Sequence, residues 1–267
     1  MKISRTSVFL GGFYISMLIL WITLTFFHYT NNFINLAFVF IYGFIPLIGG
    51  IAGLFSSLKW GGFSSVLGKA IIYLSIGLIT WSMGEMIWTL YYNLILKIEI
   101  PYPSLADASF ILSWPFWIAG VYFLAKATGV KYALAKKQST LKIILIPIIA
   151  LTISYYLLVI VARQGSVEIS GGMIKIFFDL AYPILDVVIL TLALLVYGLS
   201  LQFLGGRFKW PVLIILFSFL VNYFADFIFS YTTTIETYFN GNIADLLFMT
   251  AMFLLSFGVN NFNVTED

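Results

Sequence analysis

The stretch VFLGGFYISMLILWITLTFF, residues 8–27, decides which class of fold this chain can adopt. It contains twenty residues and no charge, and a helix needs about 20 apolar residues to cross the hydrocarbon core of a bilayer. Lys2 and Arg5 precede it, as basic residues precede a secretory signal. The run is longer than the apolar region of a signal, however, and no small-residue cleavage site follows it. We therefore interpret it as a first transmembrane helix and a signal anchor.

The composition indicates the same class for the whole chain. Of 267 residues, 61% are hydrophobic and 9% are charged, whereas soluble domains are about 45–50% apolar and about 25% charged. Because there is no cysteine and a single histidine, His28, disulfides, thiolate metal sites and multi-histidine metal sites are excluded. We predict no cofactor, and whether a metal ion is bound stays open.

Seven further segments are apolar over a similar length: 35–57, 70–93, 105–125, 141–162, 174–200, 211–231 and 243–260. These runs are too long for barrel strands and lack an alternating pattern. The sequence therefore predicts an all-α, polytopic membrane helix bundle with eight transmembrane helices, surrounded by the lipid bilayer.

The basic residues predict the orientation, since Lys and Arg are enriched in cytoplasmic loops. If the N-terminus is cytoplasmic, three basic residues lie outside: Lys97, Arg163 and Lys175. The other eleven lie inside: Lys2, Arg5, Lys59, Lys69, Lys126, Lys131, Lys136, Lys137, Lys142, Arg207 and Lys209. We expect an integral plasma-membrane protein with both termini in the cytoplasm. The net charge of +3 reflects this topology, and we predict no nucleic-acid partner.

Two parts of the chain resemble each other. WSMGEMIWTLYYN (81–93) and PSLADASFILSWPFWIAGV (103–121) match NYFADFIFSYTTT (222–234) and GNIADLLFMTAMFLLSFGV (241–259). The matched pairs are Glu85 with Asp226, Asp107 with Asp245 and Gly120 with Gly258. We interpret this pattern as two tandem four-helix repeats, 1–130 and 135–267, within one membrane domain. Four crossings per unit make the repeats parallel. Chance similarity between apolar segments is the alternative.

Six acidic residues lie within the predicted spans: Glu85, Asp107, Asp179, Asp186, Asp226 and Asp245. An ionised carboxylate at the bilayer centre costs about 2.5–3.5 kcal/mol on insertion scales, so such residues normally face the bundle interior or water. In the predicted orientation all six lie in the outer half of the membrane or near its middle. This asymmetry predicts an outward-facing polar crevice, in which Glu85, Asp226, Asp186 and Asp179 form the core.

Several of these acids also have a purely structural interpretation. Ser104 and Asp107, and likewise Asn242 and Asp245, have the spacing of helix capping boxes. Capping does not account for the deeper acids, whose structural alternative is a carboxyl hydrogen-bonded to another helix. Pro183 follows Asp179 by four residues and therefore deprives the Asp179 carbonyl of its helical donor.

Aromatic residues accompany Glu85. Trp81, Glu85, Trp88 and Tyr92 fall at i, i+4, i+7 and i+11, which is one stripe of an α-helix. Two indoles beside a carboxylate could hold an organic cation by cation–π attraction. Alternatively, Trp88 and Tyr92 belong to the aromatic belt at the membrane surface, and Trp81 packs in the core.

The run Trp81, Glu85, Trp88 and Tyr91, followed by PYPSLADASFILSWP (101–115), resembles a multi-helix N-terminal membrane domain of bacterial signalling proteins. In that family the domain precedes diguanylate-cyclase (GGDEF) or histidine-kinase modules. The family's matching positions are Glu85, Pro103, Ser104, Ala106, Asp107, Phe110 and Pro115. The specific similarity covers 81–120. No output module follows Val264 in this sequence, so a sensory role implies a separate cytoplasmic or membrane signalling partner.

The function predicted first is therefore a sensory or ligand-binding module with an acidic and aromatic pocket for a cation or a small polar ligand. The predicted ligand-binding residues are Glu85, Asp226, Asp186, Asp179, Asp107, Asp245, Trp81, Trp88 and Tyr92. A proton- or cation-coupled transporter is the second hypothesis, because parallel repeats and midspan carboxylates suit alternating access. An intramembrane enzyme or a structural subunit remain as alternatives. No catalytic residues are predicted, since no nucleophile–base pair is visible in the sequence.

Overall fold

The computed structural model describes residues 3–30, 32–98, 100–135, 137–165, 172–200 and 208–262, and these residues form helices joined by short connections. The helices are α1 Arg5–Phe26, α2 Phe33–Tyr42, α3 Phe44–Leu58, α4 Val66–Met86, α5 Leu105–Ala127, α6 Val130–Leu134, α7 Lys137–Ser154, α8 Met173–Ser200, α9 Lys209–Thr234 and α10 Ile243–Val259. Two of them continue as π-helices, α4 through Ile87–Leu96 and α7 through Tyr155–Val161, and a 3-10 turn spans Gly62–Ser64. The all-α prediction is confirmed.

Seven of the predicted segments are helices long and apolar enough to cross a bilayer, so the chain is an integral membrane protein. They are Arg5–Phe26, Phe33–Leu58, Val66–Leu96, Leu105–Ala127, Ser139–Val161, Met173–Ser200 and Lys209–Thr234. The eighth segment, 243–260, is α10, which has 17 residues. At 1.5 Å per residue it is roughly 26 Å long, slightly less than the hydrocarbon core of about 30 Å.

Of the residues that predict the orientation, Lys2, Lys136 and Arg207 lie outside the described part of the chain.

Hydrogen bonding explains where several helices begin. A helix leaves its first backbone N–H groups without partners, and a polar side chain at the N-cap accepts from them. The caps that do so here are Ser4, Asn32, Ser65, Ser104 and Asn242. Two of these, Ser104 and Asn242, hold the helices that carry Asp107 and Asp245.

Helix α4 lies in the centre of the bundle and packs against α3, α5 and α10. Small residues permit its close approach to α5: the indole of Trp117 lies over Gly77, and the ring of Phe110 lies over Gly84. Helix α10 packs against α9, α3 and α1, while α8 packs against α5, α7 and α9. The bundle therefore joins early and late parts of the chain through the contacts of α10 with α3 and of α5 with α8.

Two glycines occupy matching places in the packing. A Cβ atom at Gly120 of α5 would lie 2.6 Å from Leu74 Cγ, and a Cβ atom at Gly258 of α10 would lie 2.6 Å from Ile215 Cγ1. Leu74 precedes Glu85 by eleven residues, and Ile215 precedes Asp226 by eleven residues. The similarity of the two sequence stretches thus extends to the residue that each glycine contacts.

We expect Gly120→Ala and Gly258→Ala each to lower the free energy of unfolding by about 1–3 kcal/mol, the usual cost of overpacking a close-packed core. Both added methyl groups would also meet backbone atoms, Leu74 N at 3.0 Å and Pro211 O at 3.1 Å, which cannot rotate away. Denaturation in mixed detergent micelles measures the change. Gly12→Ala is the matched control, because nothing lies within 4 Å of its added methyl group. A control that loses as much stability would contradict the prediction.

Candidate functional site

The predicted site residues gather at one end of the bundle, which we call the acidic end: the end at which α5 and α10 begin. Within it the six acids fall into two separate groups. The Glu85 cluster consists of Tyr42, Glu85, Tyr238 and Asp245. The Asp186 cluster consists of Asp186, Asn222 and Asp226. Asp107 contacts Tyr182, which lies near Asp226, and Asp179 contacts Tyr102.

Asp245 is the most heavily hydrogen-bonded carboxyl of the Glu85 cluster. Its Oδ2 accepts from the backbone N–H of Gly241 at 2.5 Å, and both oxygens accept from the Tyr238 hydroxyl at 3.3 and 3.4 Å. The Tyr42 hydroxyl reaches its Oδ1 at 3.4 Å. Asn242 Oδ1 caps α10 by accepting from the N–H groups of Ala244 and Asp245. The Asp245 carboxyl, however, accepts from Gly241 N instead of completing the predicted capping box with Asn242 N, and phenols from the connection before α10 and from α2 also donate to it.

The Tyr42 hydroxyl also contacts the Glu85 carboxyl, so one phenol lies between two acids from different helices. Tyr42, Glu85 and Asp245 are all buried. Because like charges repel strongly in a poorly hydrated site, this arrangement favours a positively charged or hydrogen-bond-donating species between the two carboxyls.

A helix break positions Tyr42 for this contact. Pro46 has no N–H to donate to the Tyr42 carbonyl, and the second span is interrupted between α2 and α3 at Gly43. The Gly43 carbonyl accepts from Ser82 Oγ at 2.8 Å. A Cβ atom at Gly43 would lie 3.0 Å from Glu85 Cγ, so the glycine lets Glu85 approach α2 closely.

The aromatic residues beside Glu85 face different neighbours. Trp81 is 5% exposed and packs against Phe110 and Phe248, with ring centroids 5.5 and 5.9 Å apart. Trp88 is half-buried, and its indole N–H donates to Asn240 Oδ1 at 3.1 Å.

The Tyr92 hydroxyl, in turn, accepts from the Leu105 N–H at 3.2 Å. The predicted single stripe assumes an α-helix through Tyr92, whereas the helix becomes π-helical at Ile87. The i→i+5 hydrogen bonds of a π-helix change the angle between successive residues and thereby turn Trp88 and Tyr92 away from the line of Trp81.

Asp107 completes the capping box that its spacing predicts. Its Oδ2 accepts from Ser104 N at 2.8 Å and from Ser104 Oγ at 2.7 Å, while Ser104 Oγ accepts from Asp107 N. The other oxygen, Oδ1, accepts from the Tyr182 hydroxyl of α8 at 3.1 Å. Asp107 therefore has both a structural role at the start of α5 and a contact with the helix that carries Asp186.

The Asp186 cluster joins α8 and α9. Asn222 Nδ2 donates to Asp226 Oδ2 at 2.7 Å, and the carboxyls of Asp186 and Asp226 are in hydrogen-bond contact with each other. Two oxygens of this cluster, Asp186 Oδ1 and Asn222 Oδ1, are buried with no hydrogen-bond donor among the described residues. Buried acceptors without a donor are uncommon in native proteins. Asn35 Oδ1 and Asp179 Oδ2 are further examples among the described residues, but each of these is a single atom, whereas the Asp186 cluster contains two.

Asp179 lies one helical turn before Pro183. Its carbonyl, which the proline deprives of a helical donor, accepts from Arg163 Nη1 at 2.8 Å. Its carboxyl Oδ1 accepts from the Tyr102 hydroxyl at 2.8 Å. Burial and the neighbouring Asp179 carboxylate raise the pKa of the Tyr102 hydroxyl, which keeps this phenol a hydrogen-bond donor.

The two deep acids that sequence analysis places in one core, Glu85 and Asp226, thus lie in different clusters. Each is paired instead with an acid from another helix, Asp245 or Asp186. Six residues that contact the predicted acids are missing from the predicted set: Tyr42, Tyr102, Arg163, Tyr182, Asn222 and Tyr238. Asn222 could have been found, because it lies one helical turn before Asp226. Tyr238 lies seven residues before Asp245 but in the connection before α10, and Tyr42 lies on a distant helix, so neither carries a helical-spacing signal.

Among the described residues, no group of three or more His, Cys, Asp or Glu side chains is arranged to hold a metal ion. Comparisons of the chain with protein-family models, with curated proteins and with solved structures find no match.

Proposed function

We propose that this protein is a sensory or ligand-binding membrane module whose acidic end binds a cation or a small polar ligand. The observation that carries the proposal is the pairing of buried carboxyls, Glu85 with Asp245 and Asp186 with Asp226, at one end of the bundle. Intramembrane acids are costly and typically mark ligand, ion or proton sites. A structural role alone would be served by single acids at helix caps, of which Asp107 is an example.

We infer that α10 is an eighth span and that the chain consists of two parallel four-helix repeats. The matched contacts of Gly120 and Gly258 support this arrangement. So do two contacts that cross between the units: Tyr42 of the first reaches Asp245 of the second, and Tyr182 of the second reaches Asp107 of the first. The Glu85 cluster then lies between the two repeats, and the Asp186 cluster lies within the second repeat.

The distribution of basic residues supports cytoplasmic termini, and with them an acidic end that faces outward. A ligand would then arrive from outside the cell. The resemblance of 81–120 to the membrane domain of bacterial signalling proteins supports a sensory role. The protein would pass the signal of ligand binding to a separate diguanylate-cyclase or histidine-kinase partner.

A cation-coupled transporter is the second candidate, and one observation favours it. Binding groups between two parallel repeats are where alternating access needs them. The opposite end of the bundle favours the sensor, because its buried amides already donate to other helices and are not free to line a path: Asn260 donates to Gly49 O of α3, and Asn261 donates to Ser7 Oγ of α1. Uptake of a cation that stabilises the protein, measured in proteoliposomes, distinguishes the two.

The proposed function is tested by thermal unfolding in detergent with a panel of inorganic cations, organic ammonium ions and small polar solutes. A ligand at 100 times its Kd stabilises the folded protein by about 2.7 kcal/mol. We expect at least one member of the panel to raise the Tm of the wild type, and Glu85→Gln combined with Asp226→Asn to abolish that rise. Glu236→Gln, an exposed acid in the connection after α9, is the matched control. Equal shifts in the double variant and the wild type would refute the proposal.

A further inference from the structure

The Asp186 cluster differs from the Glu85 cluster in its hydrogen-bond donors. Around Asp245, two phenols and a backbone N–H supply donors to the carboxyl. In the Asp186 cluster the only described donor is the Asn222 amide, which is used on Asp226 Oδ2. Asp186 and Asn222 are each 2% exposed, and each has one side-chain oxygen without a donor.

The three side chains of this cluster are in contact through the Asp226 carboxyl. Asn222 and Asp226 are four residues apart on α9 and therefore share a face, and the Asn222 amide touches the Asp226 carboxyl. Because the Asn222 oxygen and nitrogen belong to one amide, the free oxygen also lies at this contact. Asp186 meets the same carboxyl from α8. The cluster thus brings together two carboxyl groups and one amide oxygen from two helices, and a hydrogen bond between the two carboxyls needs one proton.

We propose that Asp186, Asn222 and Asp226 form a binding site for one monovalent cation, filled by a proton or by Na⁺. Oxygen-only donor sets suit hard cations, and carboxyl groups buried within membrane spans typically mark ion or proton sites. A single positive charge between the carboxyls removes their mutual repulsion. A proton would form a hydrogen bond between the two carboxyls, whereas Na⁺ would also be coordinated by the Asn222 oxygen that has no donor.

Several charged and titratable groups surround the site. Arg163, which follows the π-helical end of α7, interacts electrostatically with Asp186. Tyr223 of α9 also lies near Asp186, and its hydroxyl donates to Ser154 Oγ at 3.0 Å. Tyr182 of α8 lies near Asp226 and contacts Asp107 of α5. Farther along α8, Asp179 is engaged by Tyr102. Arg163 offsets part of the negative charge, so a single added cation suffices for the remaining pair.

This inference rests on the proposed function and makes it specific: the Asp186 cluster takes the cation, while the Glu85 cluster, with Trp88 beside it, stays available for another ligand. Since α8 and α9 both belong to the second predicted repeat, occupancy would draw these two helices together. It would also change the position of Tyr182, which contacts Asp107 at the start of α5. The site is thereby linked to the first repeat.

The experiment compares Na⁺ with N-methylglucamine at equal ionic strength, in purified full-length protein, by thermal unfolding from mildly acidic to alkaline pH. In the wild type we expect Na⁺ to raise the Tm at alkaline pH and to have no effect at acidic pH, where protons fill the site. If the site takes protons only, the Na⁺ effect is absent and acidification raises the Tm instead. Either result supports the proposal if it depends on the Asp186 cluster.

Variants assign the effect to the cluster. We expect Asp186→Asn and Asp226→Asn to remove the cation-dependent rise in Tm, or to raise the half-saturating cation concentration about tenfold or more. Asn222→Ser is the milder variant, which carries the test if either aspartate variant fails to fold. It should weaken the binding of Na⁺ more than the binding of a proton, because it replaces the amide oxygen with a hydroxyl on a shorter side chain. Ser218→Ala, one turn before Asn222 on α9 and bonded only within its own helix, is the matched control.

The proposal is overturned if the wild type responds to neither Na⁺ nor protons, or if the response is unchanged in the Asp186, Asn222 and Asp226 variants. A cation response that is lost in Glu85→Gln but kept in Asp226→Asn would also overturn it. That last result would leave the proposed function standing, with the other cluster as its site, so the two failures are distinguishable.

Discussion

Asp245→Ala is expected to lower the free energy of unfolding by about 2–5 kcal/mol, because it strands two donors that each cost about 1–3 kcal/mol when unpaired. The donors are the Gly241 N–H and the Tyr238 hydroxyl, whereas the Tyr42 hydroxyl keeps the Glu85 carboxyl as an acceptor. Asp245→Asn should cost much less, since its amide oxygen still accepts hydrogen bonds and its charge no longer opposes Glu85. Denaturation in mixed detergent micelles measures both changes.

The comparison with Asp107→Ala sharpens this prediction. Asp107 accepts two of its bonds from Ser104, at the start of α5, and one from Tyr182. Ser104 is 9% and Asp107 7% exposed, whereas Asp245 is 3% exposed, so water can reach the groups freed at Asp107 more readily. We therefore expect a smaller loss for Asp107→Ala than for Asp245→Ala. Equal losses would mean that both acids act mainly as helix caps.

Trp81→Ala is expected to lower the free energy of unfolding by about 3–5 kcal/mol, the usual cost of deleting a large buried aromatic side chain. The indole joins three helices, since it packs against Phe110 of α5, Phe248 of α10 and Tyr42 of α2. The substitution would therefore leave a cavity where α4 meets its neighbours. Unfolding monitored by loss of helical circular dichroism measures the effect.

Trp81→Phe and Trp88→Phe separate packing from ligand binding. If Trp81 acts mainly through packing, Trp81→Phe should restore much of the lost stability and leave the ligand-dependent Tm shift of the wild type intact. Trp88 is half-buried and donates to Asn240, so Trp88→Phe should change stability less and the ligand response more. The reverse pattern would identify Trp81 as the residue that contacts the ligand.

The spans were predictable because a backbone in lipid must satisfy its own hydrogen bonds. A continuous apolar segment of about 20 residues is therefore a direct signal of a transmembrane helix. Seven of eight segments satisfy that signal in the structure. The Ser104–Asp107 capping box was predictable for a related reason: its partners are three residues apart. The freed carbonyl of Asp179 follows from Pro183 alone, since proline has no N–H.

The partners of the deep acids were not predictable in this way. Nothing near Glu85 in the sequence points to Tyr42 or Asp245, which lie 43 residues before and 160 residues after it. The π-helical turn after Met86 also changes which way Trp88 and Tyr92 face. A hydrogen bond within one helical turn is fixed by spacing, whereas a bond between helices depends on how they pack.

The sequence by itself determined that this is a helical membrane protein, where α5 and α10 begin, and that its acids are concentrated in certain spans. These properties depend on composition and on contacts within one turn of helix. Only the tertiary structure decided that Glu85 pairs with Asp245 and Asp186 with Asp226, and that Arg163 supplies the donor missing at Asp179. Glycine contacts such as those of Gly43 and Gly77 set how closely the helices approach, and this approach decides which distant polar groups meet.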